Sequence, residues 1–179
     1  MSGRLIAVVG PSGAGKDTLI RGAMARDPAL HWARRSVTRP PSGTEPFESL
    51  TDDEFDSRLA ADRFALHWQA HGLRYGVARA ELLPMEDGAT VLFNGSRAAL
   101  AEAYEQFPDL QAIEVTAPSV LLVKRLAARG RESADEIADR IARSCKELPE
   151  GLPLRRVMND GTVEEGVERL LAALQPVRA

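Results

Sequence analysis

"GPSGAGKD", residues 10–17, follows the apolar run "RLIAVV" (4–9) and leads into "KDTLIRGAMAR" (16–26). Its glycines and lysine match GxxxxGK, a loop in which successive main-chain N–H groups turn toward one anion with a helix N-terminus behind them. The flanks supply the context that this motif requires. The apolar run predicts a buried parallel strand. Leu19, Ile20, Ala23 and Met24 then recur at helical spacing until Pro28 ends the helix. Gly10, Pro11, Ser12, Gly13, Ala14, Gly15 and Lys16 are therefore read as a cradle for nucleotide phosphates, with Lys16 reaching the β- and γ-phosphates. The next position usually carries a Ser or Thr whose hydroxyl ligates Mg2+, but here it is Asp17. Its carboxylate either holds Mg2+, directly or through water with the Thr18 hydroxyl in reserve, or complements the positive end of the helix dipole.

Outward from the loop, apolar runs and amphipathic stretches alternate. "ATVLFN" (89–94), "LQAIEVTA" (110–117) and "LRRVMN" (154–159) predict three more core strands. Helices are predicted at 96–107 with Ser96 as N-cap, at 119–130 after Pro118, at 133–148, and at 162–174 with a Thr162/Glu165 capping box. This alternation predicts an α/β domain whose parallel sheet is covered on both faces, here of the P-loop NTPase type. Residues 33–80 break the rhythm with Pro40, Pro41, Pro46 and short alternating runs, and predict a small inserted subdomain of short strands plus a helix near 51–60. The core is thus expected at 1–32 and 81–179. The stretch 125–143, dense in Arg and acid, is expected to be a lid.

At 179 residues the chain suits one domain, and 44% hydrophobic with 27% charged residues is ordinary for a soluble globular protein. A net charge of −3 gives no support for a nucleic-acid surface. "LIAVV" is too short for a membrane span and lacks a signal peptide's cleavage region. Lone Cys145 cannot form an internal disulfide, so a cytoplasmic setting is expected. Lysine occurs only at 16, 124 and 146, so 20 of the 23 basic residues are arginine. The arginine excess suits either repeated phosphate gripping or a GC-rich coding bias.

From this point the chain resembles guanylate kinases: "GPSGAGK", "SVT" with Arg39, "YGV" (75–77), "RLAARG", Arg140 and "ND" (159–160) occur in that family's order over nearly the whole length. The resemblance implies a guanylate-kinase-like core, an acceptor-binding insert and an arginine-bearing lid. The departures are informative. A second arginine is missing from "PPSGTE", and "PFESL" and "ALHWQAHG" stand where that family holds phosphate and reads guanine. GMP, left without its hydrogen-bond partners, would be rejected. The segments "GKD", "LHWQAHGLRYGV", "FNGSRA" and "RGRE" resemble the narrower ribose 1,5-bisphosphate phosphokinase family, associated with phosphonate catabolism. That resemblance implies ATP-dependent phosphorylation of ribose 1,5-bisphosphate to 5-phosphoribosyl diphosphate (PRPP), with Asp17 as a family feature.

The resemblance also implies roles for individual residues. Arg39 and Tyr75 match acceptor-phosphate positions, Arg129 and Arg140 the lid guanidiniums over the transferring group, Arg125 and Asn159 the nucleotide side. Arg97 is a candidate on its own footing, because "NGSR" follows a strand end, where α/β ligands sit; alternatively Asn94–Ser96 only turns and caps the next helix. Arg34, Arg35, Arg74 and Arg79 are further candidates for a second acceptor phosphate. His67, Trp68 and His71 either touch the acceptor or pack. The expected cofactors are ATP and Mg2+, and the expected partner is a small phosphosugar, with neither nucleic acid nor membrane, in a monomer or homodimer. The competing activities are a nucleoside monophosphate kinase, a small-metabolite kinase such as one for gluconate, and a peptide-binding module. Retention of Lys16 argues against the last.

Overall fold

A computed structural model describes residues 3–41, 46–128 and 149–176 of the chain. Five strands form a parallel sheet: β1 (Arg4–Val9), β2 (Leu30–Trp32), β7 (Thr90–Asn94), β8 (Gln111–Thr116) and β9 (Leu154–Met158). Their order is β2-β7-β1-β8-β9, so β1 is central. The chain leaves β1 toward the β2–β7 side and later crosses to β8. This reversal opens a crevice at the carboxyl end of β1, where open α/β sheets bind ligands. The loop 10–15 occupies that end.

Alternation along β1 decides which helices cover which face. Ile6 and Val8 point to a cluster with Leu19, Ile20 and Ala23 of α1 (Lys16–Arg26), Leu122 of α4 (Ser119–Ala128), and Val167, Leu170 and Leu174 of α5 (Val163–Leu174). Leu5, Ala7 and Val9 point the other way, to Ala99, Leu100 and Ala103 of α3 (Arg97–Gln106) and to Leu66, Trp68 and Val77. The last three residues belong to a second sheet, which thereby shares the core of the first.

That second sheet has the order β4-β3-β6-β5, from β3 (Arg35–Val37), β4 (Phe47–Ser49), β5 (Phe64–Ala70) and β6 (Leu73–Ala78). The β5–β6 hairpin turns on His71 and Gly72, whose φ values of 53° and 73° are those of a type I′ turn. His71 is thus a turn residue, and His67 is exposed while Trp68 is buried. Helix α2 (Asp52–Ala60) starts at a Thr51/Glu54 capping box and buries Phe55 against Phe64, ring centroids 4.6 Å apart. Trp68 stacks on Tyr75 at 5.5 Å and meets Phe93 of β7 at 6.4 Å, tying the two sheets by an aromatic bridge.

Two local expectations change, at the core sheet and at Ser96. The core sheet has five strands among the described residues rather than four. The additional β2 is three residues long, too short to show a period, and its place is fixed by pairing with β7. Residues 79–85 form a 3-10 helix that contains Pro84. Ser96 does occupy the N-cap position of α3, but its side chain makes no capping bond. The expected helix at 133–148, most of the expected lid, Arg129, Arg140 and Cys145 lie outside the described residues.

One half-buried link holds the second sheet to its helix. Glu48 of β4 accepts from Arg58 of α2 at 2.6 and 2.7 Å and from the buried Ser36 hydroxyl at 2.9 Å. The Arg58 hydrogen bond, more than any other influence, holds the Glu48 carboxyl below its ordinary range. A depressed carboxyl stabilises the fold above its ordinary range, and that stability is lost as pH falls through the lowered value. Glu48→Gln is therefore expected to lower stability by about 1 kcal/mol at neutral pH, the upper end for a solvent-screened pair. The difference from the unmodified chain shrinks in acid, as read by thermal melts across that range; a constant difference would refute the link.

Candidate active site

The loop's shape is set by what surrounds it. Gly10 has φ +139°, and a Cβ there would overlap the Val115 carbonyl oxygen of β8, so only glycine fits. Gly15, the N-cap of α1, has φ +91°, and a Cβ would lie 2.6 Å from the Asn159 side-chain nitrogen. The Asn159 amide nitrogen donates to the Ala14 carbonyl at 2.7 Å, while its main-chain N–H bonds Thr116 at 2.7 Å. Asn159 is 6% exposed. Arg125 of α4 donates to the Asn159 carbonyl at 3.0 Å and approaches Gly13 at 3.5 Å. Both residues assigned to the nucleotide side thus touch the loop's own backbone or its support. Lys16 folds over the loop, its Nζ donating to the carbonyls of Gly10 at 2.8 Å and Pro11 at 3.1 Å. Pro11 and Ser12 are half-buried at the loop's mouth.

Asp17 lies in the first turn of α1 and accepts a hydrogen bond from the Asn94 side-chain amide at the end of β7. Thr18 is exposed. No group of three or more His, Cys, Asp or Glu side chains able to hold a metal ion occurs among the described residues. The Asp17 carboxylate is a hard oxygen donor of the kind that Mg2+ takes, one or two such groups together with nucleotide phosphates commonly sufficing. Asp17 is the residue here that would hold it. The buried Asn94 Oδ1 and Ser96 Oγ have no hydrogen-bond partner among the described residues, so polar capacity remains beside Asp17.

The arginine candidates separate by partner. Arg74 is tied to Asp56 at 2.6 Å, and Arg79 to Asp62 at 2.7 Å, both carboxylates of the second sheet's own surroundings. Arg34 is exposed at the start of that sheet. Arg35 instead donates to the main-chain oxygen of Asn94 at 3.1 Å and lies over the Tyr75 ring at 5.6 Å, where the two sheets meet. Arg39 lies over Phe47 at 4.4 Å.

Arg97 is bonded to Glu114, which also accepts from Arg156 at 2.9 Å. Glu114 is 3% exposed and level with the last residue of β1. Glu114 thus ties Arg97 of α3 to Arg156 of β9 at the sheet's carboxyl edge. The sequence held a signal for this triad: a lone acid inside "LQAIEVTA" has to be paired when the strand is buried.

No family model matches the chain. A protein of Ruegeria sp. (strain TM1040) named ribose 1,5-bisphosphate phosphokinase PhnN is 47% identical over 180 residues, covering 99% of this chain and 94% of that protein. A bifunctional ribose 1,5-bisphosphokinase-thymidine phosphorylase of Azorhizobium caulinodans is 46% identical over 97% of this chain, which spans only 26% of that longer protein. Among solved structures, guanylate kinase from Anaplasma phagocytophilum superposes with a TM-score of 0.70 at 17% identity, covering 97% of this chain and 85% of that one. The fold is thus the guanylate-kinase-like P-loop fold.

Replacing Asn159 isolates the loop's support. Asn159→Ala leaves the Ala14 carbonyl without its donor, at a cost of about 1–3 kcal/mol. The expected result is a lower unfolding midpoint together with weaker nucleotide binding by calorimetry. An unchanged midpoint would show that the loop is held by other means.

Proposed function

Because the chain belongs to the ribose 1,5-bisphosphate phosphokinase family, we propose that it transfers the γ-phosphoryl group of ATP to the 1-phosphate of ribose 1,5-bisphosphate, giving PRPP and ADP. The observation that carries this reading is the meeting of a phosphate loop with an arginine-bearing second sheet at one strand end, through Arg35 and Asn94. The product places the reaction within phosphonate catabolism on the family's pattern.

The chemistry asks little of a general base. A phosphate monoester has its second pKa near 6, so the acceptor arrives as a dianion. One of its oxygens attacks the γ-phosphorus, the bond from that phosphorus to the β–γ bridging oxygen breaks, and ADP leaves. What the protein supplies is alignment and cancellation of charge between two anions. The main-chain N–H groups of residues 10–16 and the Lys16 ammonium hold the donor phosphates. When bound, Mg2+ neutralises charge on the β- and γ-phosphates, and Asp17 would hold it.

Arg39 and Tyr75 take the reacting acceptor phosphate. Arg35 and Arg97 supply the positive field for the second one. Arg129 and Arg140, outside the described residues, are assigned to the transferring group on the family's pattern. The site is the same for any acceptor of this class, and the absence of the guanine-reading residues favours a sugar phosphate over GMP.

Phosphorus NMR of a mixture with ATP, Mg2+ and ribose 1,5-bisphosphate should show the paired signals of a sugar diphosphate. Unchanged acceptor under conditions where GMP is consumed would overturn the reading. Lys16→Ala should lower kcat by about 10²–10³, the loss typical of one charge-stabilising donor, with the fold retained.

A further inference from the structure

Asn94 is the last residue of β7, 2% exposed, and joins both halves of the site. Its side-chain nitrogen donates to Asp17, and its main-chain oxygen accepts from Arg35. The following N–H, that of Gly95, bonds the Val8 carbonyl at 3.0 Å and pins the strand end beside β1. The carboxylate decides which way round the amide stands, because only the NH2 can donate. That leaves the amide oxygen buried with no partner among the described residues, a situation that native folds seldom keep without use.

P-loop NTPases hold Mg2+ through a neutral oxygen on the loop, from Ser or Thr, and a carboxylate supplied by an Asp elsewhere in the core. In this chain the carboxylate is on the loop, Asp17, and the side chain hydrogen-bonded to it across 77 residues of sequence is a neutral amide. We propose that the negative charge of the cation site has been transposed from strand to loop, and that Asn94 is the positioning residue for it. Its amide orients the Asp17 carboxylate, and its neutrality keeps the pair at a single negative charge. An Asp at 94 facing Asp17 would instead oppose two like charges without a donor between them.

The inference rests on the proposed function only in requiring a magnesium nucleotide, not a particular acceptor. It is therefore tested first by calorimetry with ADP, in the presence of Mg2+ or of EDTA. Asn94→Ser, neutral and no larger, should lower affinity for MgADP by about 10–100-fold, the usual loss when the orienting partner of a metal-binding group is removed. Affinity for metal-free ADP should hold. Equal losses with and without Mg2+ would mean a merely structural amide and would overturn the proposal.

The second arm exchanges the charges. Asp17→Ser and Asn94→Asp should each weaken MgADP binding and turnover, while the double variant D17S/N94D recovers most of both. Losses that multiply in the double variant would sink the transposition. If a single variant fails to fold, the MgADP comparison for Asn94→Ser still decides the question. Failure of the unmodified protein to phosphorylate ribose 1,5-bisphosphate would count against the proposed function alone.

Discussion

The hydrogen bond from the buried Asn159 amide to the Ala14 carbonyl is the constraint around which the rest of the site is arranged. A loop that turns its N–H groups toward an anion must also do something with its carbonyls, which point elsewhere. Here each of several carbonyls meets a donor: Ala14 meets Asn159, and Gly10 and Pro11 meet Lys16. The glycines supply closeness as much as backbone freedom, since Gly10 lies against the β8 backbone and Gly15 against Asn159. The loop's backbone is thus held from β8, from the residue after β9 and from α4. Such preorganisation is the larger part of what a phosphoryl-transfer site contributes.

The abundant arginines divide by the charge of their partners. Arg58, Arg74, Arg79 and Arg169 face carboxylates and stiffen the second sheet or the last helix. Arg35 and Arg125 donate to main-chain carbonyls at the mouth and the back of the loop. A contact with a main-chain carbonyl fixes where the guanidinium points. Composition alone shows the number of arginines and not this division, which follows from the fold.

The phosphate loop, the alternation of core strands and helices, the inserted second sheet and the Thr162/Glu165 capping box were legible in the sequence because each is a local pattern. Strand β2 was not, because three residues carry no period and its existence depends on β7. Residues 79–85, which form a 3-10 helix, carried no expectation of their own. Ser96 had the residue type of a cap, yet its hydroxyl is left without a capping bond. The spacing of the glycines and Lys16 marks the loop in the sequence. The partner of Asp17 was not legible, since "NGS" reads locally as a turn and nothing in it points back to residue 17. Asn159 was reached through family pattern as a nucleotide contact, whereas its visible work is to support the loop from beneath.

These separate facts converge on the carboxyl end of β7. A parallel strand can end in a loop at this depth only if its last polar groups find partners, and the two that Asn94 finds come from different parts of the molecule. Arg35 belongs to the sheet assigned to the acceptor, and Asp17 to the helix that begins at the donor loop. Asn94 thus links the two polar halves of the site, beside the shared core and the Trp68–Phe93 contact that join the sheets. For a reaction that brings two highly charged phosphates end to end, the order of difficulty is repulsion first and bond making second. A neutral junction between the Arg35 side and the Asp17 side suits that order: it helps to fix the spacing of the two without adding charge to either.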